Sequence, residues 1–251
     1  MYRWPFEDKE EIARQLEASE TAREAPRAIL RSELLTPLVW DPACGRGVCA
    51  EAAKEAGYKV YASDIYNWGY GDNRRMDFLK RKRPPKVFGG QEFTVFSNVP
   101  FSMACEFVHQ SFALGARKIV LFQRQAWLES GDRTDFWQKF PYQRQYLCRK
   151  RVSCYWFHFS PQERDEKNGG TTAYSWYVFE RGQNSRFQSD WIDFIESDYR
   201  PMPGIAHASF DIRVAEEKAF RKTIRKHLPE LAPPKQPAVP EAQALQSIAA
   251  E

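Results

Sequence analysis

No stretch of this chain runs apolar for the roughly twenty residues that a bilayer-spanning helix needs. The start, Met1-Tyr2-Arg3-Trp4-Pro5-Phe6-Glu7-Asp8, has no apolar core of the kind a secretory leader carries. Cysteine is sparse and unpatterned: Cys44, Cys49, Cys105, Cys148 and Cys154 are odd in number and form no C-x-x-C. That speaks against a zinc site and against a disulfide framework. A soluble cytoplasmic protein with no membrane partner and no metal is therefore expected. Charge of one sign is also lacking. The formal net charge of +4 does not by itself demand a nucleic-acid partner.

What is present is aromatic residues and clustered charge. Eight Trp and eighteen Phe are more than a minimal core needs. A chain of 251 residues holds one well-cored α/β domain with decorations. Val39-Trp40-Asp41-Pro42-Ala43-Cys44-Gly45-Arg46-Gly47 reads as a buried strand breaking into a glycine turn, with a helix beginning near Val48. Such a loop sits at the carboxyl end of a strand, where open α/β sheets bind small molecules. Gly45 to Ala50 also satisfies the dinucleotide pattern G-x-G-x-x-G/A, with Asp64 following at a distance suited to ribose hydroxyls.

The rest of the chain reads in order. Residues 8–35 suggest one or two amphipathic helices interrupted or restarted near Pro26. Strands are expected at 37–40, 58–63, 93–96 and 118–122, and helices at 49–56 and 103–114. Two aromatic strands, 152–159 and 173–180, lack a helix between them and suggest an antiparallel hairpin at the sheet edge. Residues 191–199 and 215–227 look helical or partly so, and the proline-rich end reads as an unfolded tail. The domains expected are an N-terminal helical segment 1–36, a catalytic domain 37–200, a C-terminal extension 201–230 and a disordered tail 231–251.

Two basic stretches stand out. Residues 74–86 hold seven basic side chains and one acid, and residues 133–151 hold six and one. The second is interleaved with Phe136, Trp137, Phe140, Tyr142 and Tyr146, a pattern that suits stacked bases. An amphipathic pair of helices covering the sheet is the competing reading. Arg133, Lys139, Arg144 and Arg149 are the candidate nucleic-acid contacts.

The loop Asp41-Pro42-Ala43-Cys44-Gly45-Arg46-Gly47 resembles the cofactor loop of class I S-adenosylmethionine-dependent methyltransferases. Ser97-Asn98-Val99-Pro100-Phe101 resembles the Asn/Asp-Pro-Pro-Tyr/Phe motif of their amino-methylating branch. Gln123-Arg124-Gln125-Ala126-Trp127-Leu128-Glu129 and Gly169 to Trp176 look like small phage- or prophage-type DNA N6-adenine methyltransferases. The match spans roughly Pro37 to Arg181.

The resemblance implies an α/β, Rossmann-like methyltransferase fold: a mostly parallel seven-stranded sheet with an antiparallel edge hairpin and helices on both faces. It implies S-adenosylmethionine as cofactor, held by Asp41, Pro42, Ala43, Cys44, Gly45 and Gly47 of the loop. Asp64 would meet the ribose, Asp77 and Phe78 the adenine, and Ile65 and Asn98 are further cofactor contacts. The segment before the glycine loop also touches the cofactor in that family, although no residue here matches well enough to name.

Asn98, Val99, Pro100 and Phe101 are then the catalytic segment. An exocyclic amino group is a poor nucleophile because its lone pair is delocalised into the ring. Two acceptors on its hydrogens, the Asn98 side-chain oxygen and the Val99 carbonyl, favour a pyramidal nitrogen aimed at the methyl group. Phe101 supplies a flat wall for the base. Val99 departs from the motif, where a proline stands; the carbonyl survives, but the fixed φ of proline is lost. The partner implied is DNA, with RNA not excluded, and the short span between 122 and 152 implies relaxed or short sequence specificity. The same chemistry serves cytosine N4, an RNA base or a protein glutamine. A non-catalytic nucleic-acid-binding protein is a further reading, against which Asp41, Gly45, Gly47, Asp64 and Asn98 argue. A nicotinamide oxidoreductase explains neither Asn98 to Phe101 nor the hairpin.

Overall fold

The computed structural model describes residues 17–152, 154–156, 172–182, 187–200 and 202. The expected helix 215–227, the tail 231–251, nearly all of the extension 201–230 and the loop 160–170 lie outside the described residues. Strands are β1 (Ser19–Glu20), β2 (Leu38–Asp41), β3 (Lys59–Asp64), β4 (Arg74–Arg75), β5 (Phe93–Ser97), β6 (Lys118–Arg124), β7 (Arg144–Cys148), β8 (Tyr155–Trp156), β9 (Tyr174–Glu180) and β10 (Gln188–Ile192). Helices are α1 (Glu24–Ser32), α2 (Val48–Glu55), α3 (Ala104–Ala113) and α4 (Thr134–Lys139).

The main sheet has the order β10-β7-β9-β6-β5-β2-β3-β4. All neighbours are parallel except β9, which runs antiparallel to both β6 and β7. Side chains alternate across it, as a strand's period of two requires. Phe96, Val120, Phe122 and Trp176 face a core shared with Ala25, Ile29 and Ala53 of α1 and α2. Val95, Ile119, Leu121 and Tyr177 face the opposite core, with Phe107 and Val108 of α3. Helices thus cover both faces. Pro26 falls in the first turn of α1, where a missing N–H costs nothing because first-turn amides have no intrahelical partner. The helix begins there and is not broken.

Three expectations are corrected. The sheet has eight strands, not seven, because Gln188–Ile192 joins the edge in parallel with β7. The span 191–199, read as helical or partly so, is helical only at the turn Glu196–Tyr199, and its first two residues end β10. The partner of β9 in the reversed pair is Arg144–Cys148, not 152–159. In the latter stretch, Tyr155–Trp156 pairs instead with Ser19–Glu20 in a separate two-stranded ladder. The pairing is set by register across some thirty residues, which local pattern does not encode.

Candidate active site

The carboxyl ends of β2, β3 and β5 open onto one cavity of about 260 Å³. Asp41 closes β2 and is buried, and Ser97 Oγ at the end of β5 donates to its Oδ1 at 2.7 Å. The chain then turns: the Cys44 amide donates to the Ser63 carbonyl at 3.0 Å, and the Gly47 amide to the Cys44 carbonyl at 2.7 Å. Gly45 and Gly47 have φ of 55° and 92°. A side chain at Gly47 would run into the Tyr70 ring, so that corner takes only glycine.

Asp64 closes β3. Its Oδ2 accepts the Gly45 amide and its Oδ1 the Tyr66 amide, both at 2.9 Å. It therefore ties the glycine loop to the next loop while lining the cavity. Burial pushes the Asp41 carboxyl up to about 7, with the Ser97 hydrogen bond opposing and the Asp64 charge adding. Burial likewise raises Asp64 to about 6, against the Tyr66 and Gly45 amides.

The sequence candidates for the cofactor collect here. Pro42, Ala43 and Gly45 line the cavity from the loop, and Asp64 and Ile65 from the end of β3. Asp77, Phe78 and Asn98 complete the wall. Asp41 and Cys44 line a smaller adjoining recess. Gly47 lines neither, and shapes the loop from behind. Phe78 also belongs to the core, stacked on Phe107 at 5.1 Å and edge-on to Trp40 at 4.9 Å. Carboxylate acceptors beside Ile65, Phe78 and Met103 suit a ligand with sugar hydroxyls and a flat heteroaromatic ring.

The catalytic segment follows β5. Asn98 Nδ2 donates to Thr21 Oγ1 at 2.9 Å. Its Oδ1 is buried and, among the described residues, has no hydrogen-bond partner. The Val99 carbonyl accepts from Gln123 Nε2 at 3.2 Å. Pro100 lines the cavity and opens the turn Phe101–Met103. Phe101 is half-buried, with the Arg124 guanidinium 4.4 Å from its ring centre and Tyr174 at 6.0 Å. Phe101 is not among the residues that line the cavity; it stands at the start of the turn beyond Pro100 and packs with Arg124 and Tyr174.

Sequence reasoning expected the segment before the glycine loop to contribute but named no residue in it. Glu17, Ala18 and Ser19 line the cavity, Glu20 pairs with Arg46 at 2.6 Å, and Glu17 accepts from the Ser102 amide and hydroxyl at 2.8 and 2.7 Å. No local pattern marks Thr21 or Glu17; only their position over the site does.

The basic candidates are not brought together at the cavity. Arg133 donates to the Trp127 carbonyl at 3.0 Å, Lys139 lies over the Phe140 ring, and exposed Arg149 pairs with Asp193 at 3.0 Å. Arg144 is engaged by the fold, paired with Glu33 at 2.8 Å and with Glu180. Lys80, from the other basic stretch, lines the cavity and pairs with Asp77 at 3.1 Å.

No family model matches the sequence, and no curated protein matches it. Solved structures do. A methyltransferase subunit of a type I restriction-modification system from Streptococcus thermophilus is 9% identical, with a TM-score of 0.49 over 75% of this chain and 53% of that one. A protein from Vibrio vulnificus YJ016 assigned as a modification subunit of a type I restriction enzyme is 14% identical, with a TM-score of 0.48 over 80% and 53%. A 1,6-didemethyltoxoflavin-N1-methyltransferase from Burkholderia thailandensis, solved with S-adenosylhomocysteine, is 11% identical, with a TM-score of 0.40 over 65% and 80%. The chain spans about half the length of the two restriction-system subunits. Its own strand order, with a reversed strand between two parallel ones, decides the architecture. The fold is the Rossmann-like methyltransferase fold. In that methyltransferase sheet, β10 is an addition at the edge, and the cavity lies at the usual carboxyl ends of the strands. Among the described residues, no helix is long and apolar enough to cross a membrane.

Proposed function

We propose that the protein transfers a methyl group from S-adenosylmethionine to an exocyclic amino group of a nucleic-acid base, adenine N6 of DNA foremost. The observation that carries the reading is Asn98. Its amide is clamped by Thr21 through Nδ2, so Oδ1 is left buried beside the cavity with no partner of its own among the described residues. An unmet buried acceptor is unfavourable, and an amino proton of a substrate answers it.

The bound cofactor supplies an electrophilic methyl group on a sulfonium sulfur. The chain supplies the rest. Asp64 and Asp77 offer acceptors to sugar and base edge, and Ile65 and Phe78 offer an apolar seat. Asn98 Oδ1 and the Val99 carbonyl hold the two amino hydrogens, which turns the nitrogen lone pair out of the ring plane. Phe101, with Arg124 and Tyr174 behind it, forms the wall for a base taken out of its stack. The exposed basic residues of 74–86, reaching the cavity at Lys80, favour a phosphate-bearing substrate.

The test is transfer of labelled methyl to unmethylated DNA, total RNA and a protein extract in parallel, followed by nucleoside and amino-acid analysis. Label in N6-methyladenine of DNA is expected, and Asn98→Ala should lower it by about 100-fold or more. Label in RNA, cytosine or glutamine moves the substrate but keeps the chemistry. Cofactor binding without label in any substrate overturns the proposal.

A further inference from the structure

We propose that Gln123 is a positioning residue for the Val99 carbonyl, replacing from a neighbouring strand the rigidity that a proline at 99 would supply. The inference rests on the methyl-transfer reading of Asn98 to Phe101.

Gln123 is anomalous where it stands. It follows Ile119, Val120, Leu121 and Phe122 in β6, and it is 1% exposed. A primary amide is costly to bury unless its donors and acceptors are matched. Its Nε2 finds the Val99 carbonyl at 3.2 Å. The parallel ladder between β5 and β6 ends at Ser97 opposite Leu121. Val99 and Gln123 lie two residues beyond that end on their respective strands. The side-chain amide therefore continues the ladder by one more rung after the backbone has left it.

A carbonyl oxygen has two lone pairs. Gln123 takes one, which leaves the other for an amino proton and fixes the direction in which it points. A proline at this position would restrict the peptide through its ring. Valine has no such restriction, so a donor from outside the loop is the means by which this chain holds the same carbonyl still. Among the described residues the Val99 amide donates no backbone hydrogen bond, so a proline there removes none.

The experiment compares the full-length protein with Gln123→Met, which keeps the length of the side chain and deletes the donor, with Gln123→Glu, with Val99→Pro, and with the Gln123→Met/Val99→Pro double variant. Readouts are kcat and KM for methyl transfer, cofactor Kd and unfolding midpoint. Gln123→Met is expected to lower kcat about tenfold, the worth of one well-placed hydrogen bond, with cofactor Kd and KM within about twofold. Val99→Pro is expected to recover most of that loss in the double variant, a coupling that a general packing role does not produce. Gln123→Glu can donate only while its buried carboxyl keeps a proton, so its kcat should fall toward that of Gln123→Met as pH rises. An unimpaired Gln123→Met, or a loss that Val99→Pro does not relieve, overturns the inference while the methyl-transfer reading stands. A loss that follows cofactor Kd or the folded fraction also overturns it. A wild-type protein inactive on every substrate overturns both.

Discussion

Two stretches of this chain carry nearly the same excess of positive charge, and the fold uses them differently. In residues 74–86, Arg74, Arg75, Lys80, Arg81, Lys82, Arg83 and Lys86 are all exposed, along the two-residue edge strand β4 and two single helical turns. In residues 133–151 the interleaved aromatics go inward. Phe136, Trp137, Phe140 and Tyr142 pack against the core beneath α3 and β9, and Tyr146 is buried with its hydroxyl on Glu33. Arg144 joins Glu33 and Glu180. Aromatics alternating with cations are what a half-buried element needs, one face dry and the other wet. A run of cations with few aromatics has little to bury. Of the competing reading of 133–151, a pair of helices covering the sheet, the structure has one helix, α4, and in place of the second has β7, a strand of the sheet itself.

The largest effect expected from this contrast is on stability. Glu33 is 5% exposed and accepts from Arg144 Nε and Nη2 at 2.8 Å, Lys118 Nζ at 2.6 Å and Tyr146 Oη at 2.9 Å. Glu33→Ala leaves these donors facing a gap and should cost about 3 kcal/mol in urea unfolding. Arg144→Gln should cost less and leave nucleic-acid retention unchanged. A weakened retention at full stability would return Arg144 to the interface and undo the contrast.

On the proposed function, the next effect is on the salt dependence of DNA retention. Replacing Arg81, Lys82, Arg83 and Lys86 together by Gln is expected to weaken binding about tenfold and to flatten the log–log salt slope, each lost phosphate contact being worth about 0.9 in slope. The triple change of Arg133, Lys139 and Arg149 to Gln should do less. Equal effects, measured by filter retention across a salt series, would mean that the charges outside the core in both stretches meet the backbone.

The same contrast explains what was legible in the sequence. The cofactor half of the sheet follows local rules. A buried strand ending at Asp41, glycines at 45 and 47 and an acid at 64 each announce a place in a turn or at a strand end; in the structure Gly45 and Asp64 line the cavity, Asp41 an adjoining recess, and Gly47 shapes the loop between them. The other half depends on pairing at long range. Arg144 to Cys148 is a five-residue strand inside a basic stretch, and its ladders to β9 and β10 distinguish it from a helix flank. Nothing local to Thr21 or Gln123 says that their polar groups end on Asn98 and Val99. Both contacts join segments far apart in the chain.

The last effect expected is a pH slope rather than a single loss, and it separates two buried acids, one in each half. Burial pushes Asp41 up to about 7 from an ordinary 3.8, and the Ser97 hydrogen bond, with smaller help from the Ala43 and Ala50 amides, does not reverse it. Burial pushes Glu33 the same way, but the Arg144 and Lys118 donors outweigh it and hold that carboxyl below its ordinary value. The signs of their pH dependence are therefore opposite. Folded Asp41 keeps a proton that the unfolded chain releases above 3.8, so its contribution to stability falls as pH rises from there to about 7, then levels off. Glu33 contributes fully above 4.5 and loses that contribution as pH falls through its lowered folded value. Asp41→Asn should remove at most one proton's slope, about 1.4 kcal/mol per pH unit, from unfolding measured between pH 4 and 7. Glu33→Gln should leave that window alone and blunt the loss in acid. If Asp41→Asn leaves the slope as it was, the titration belongs to Asp64, raised to about 6, and the uncompensated charge of the cofactor half sits at the end of β3 rather than β2.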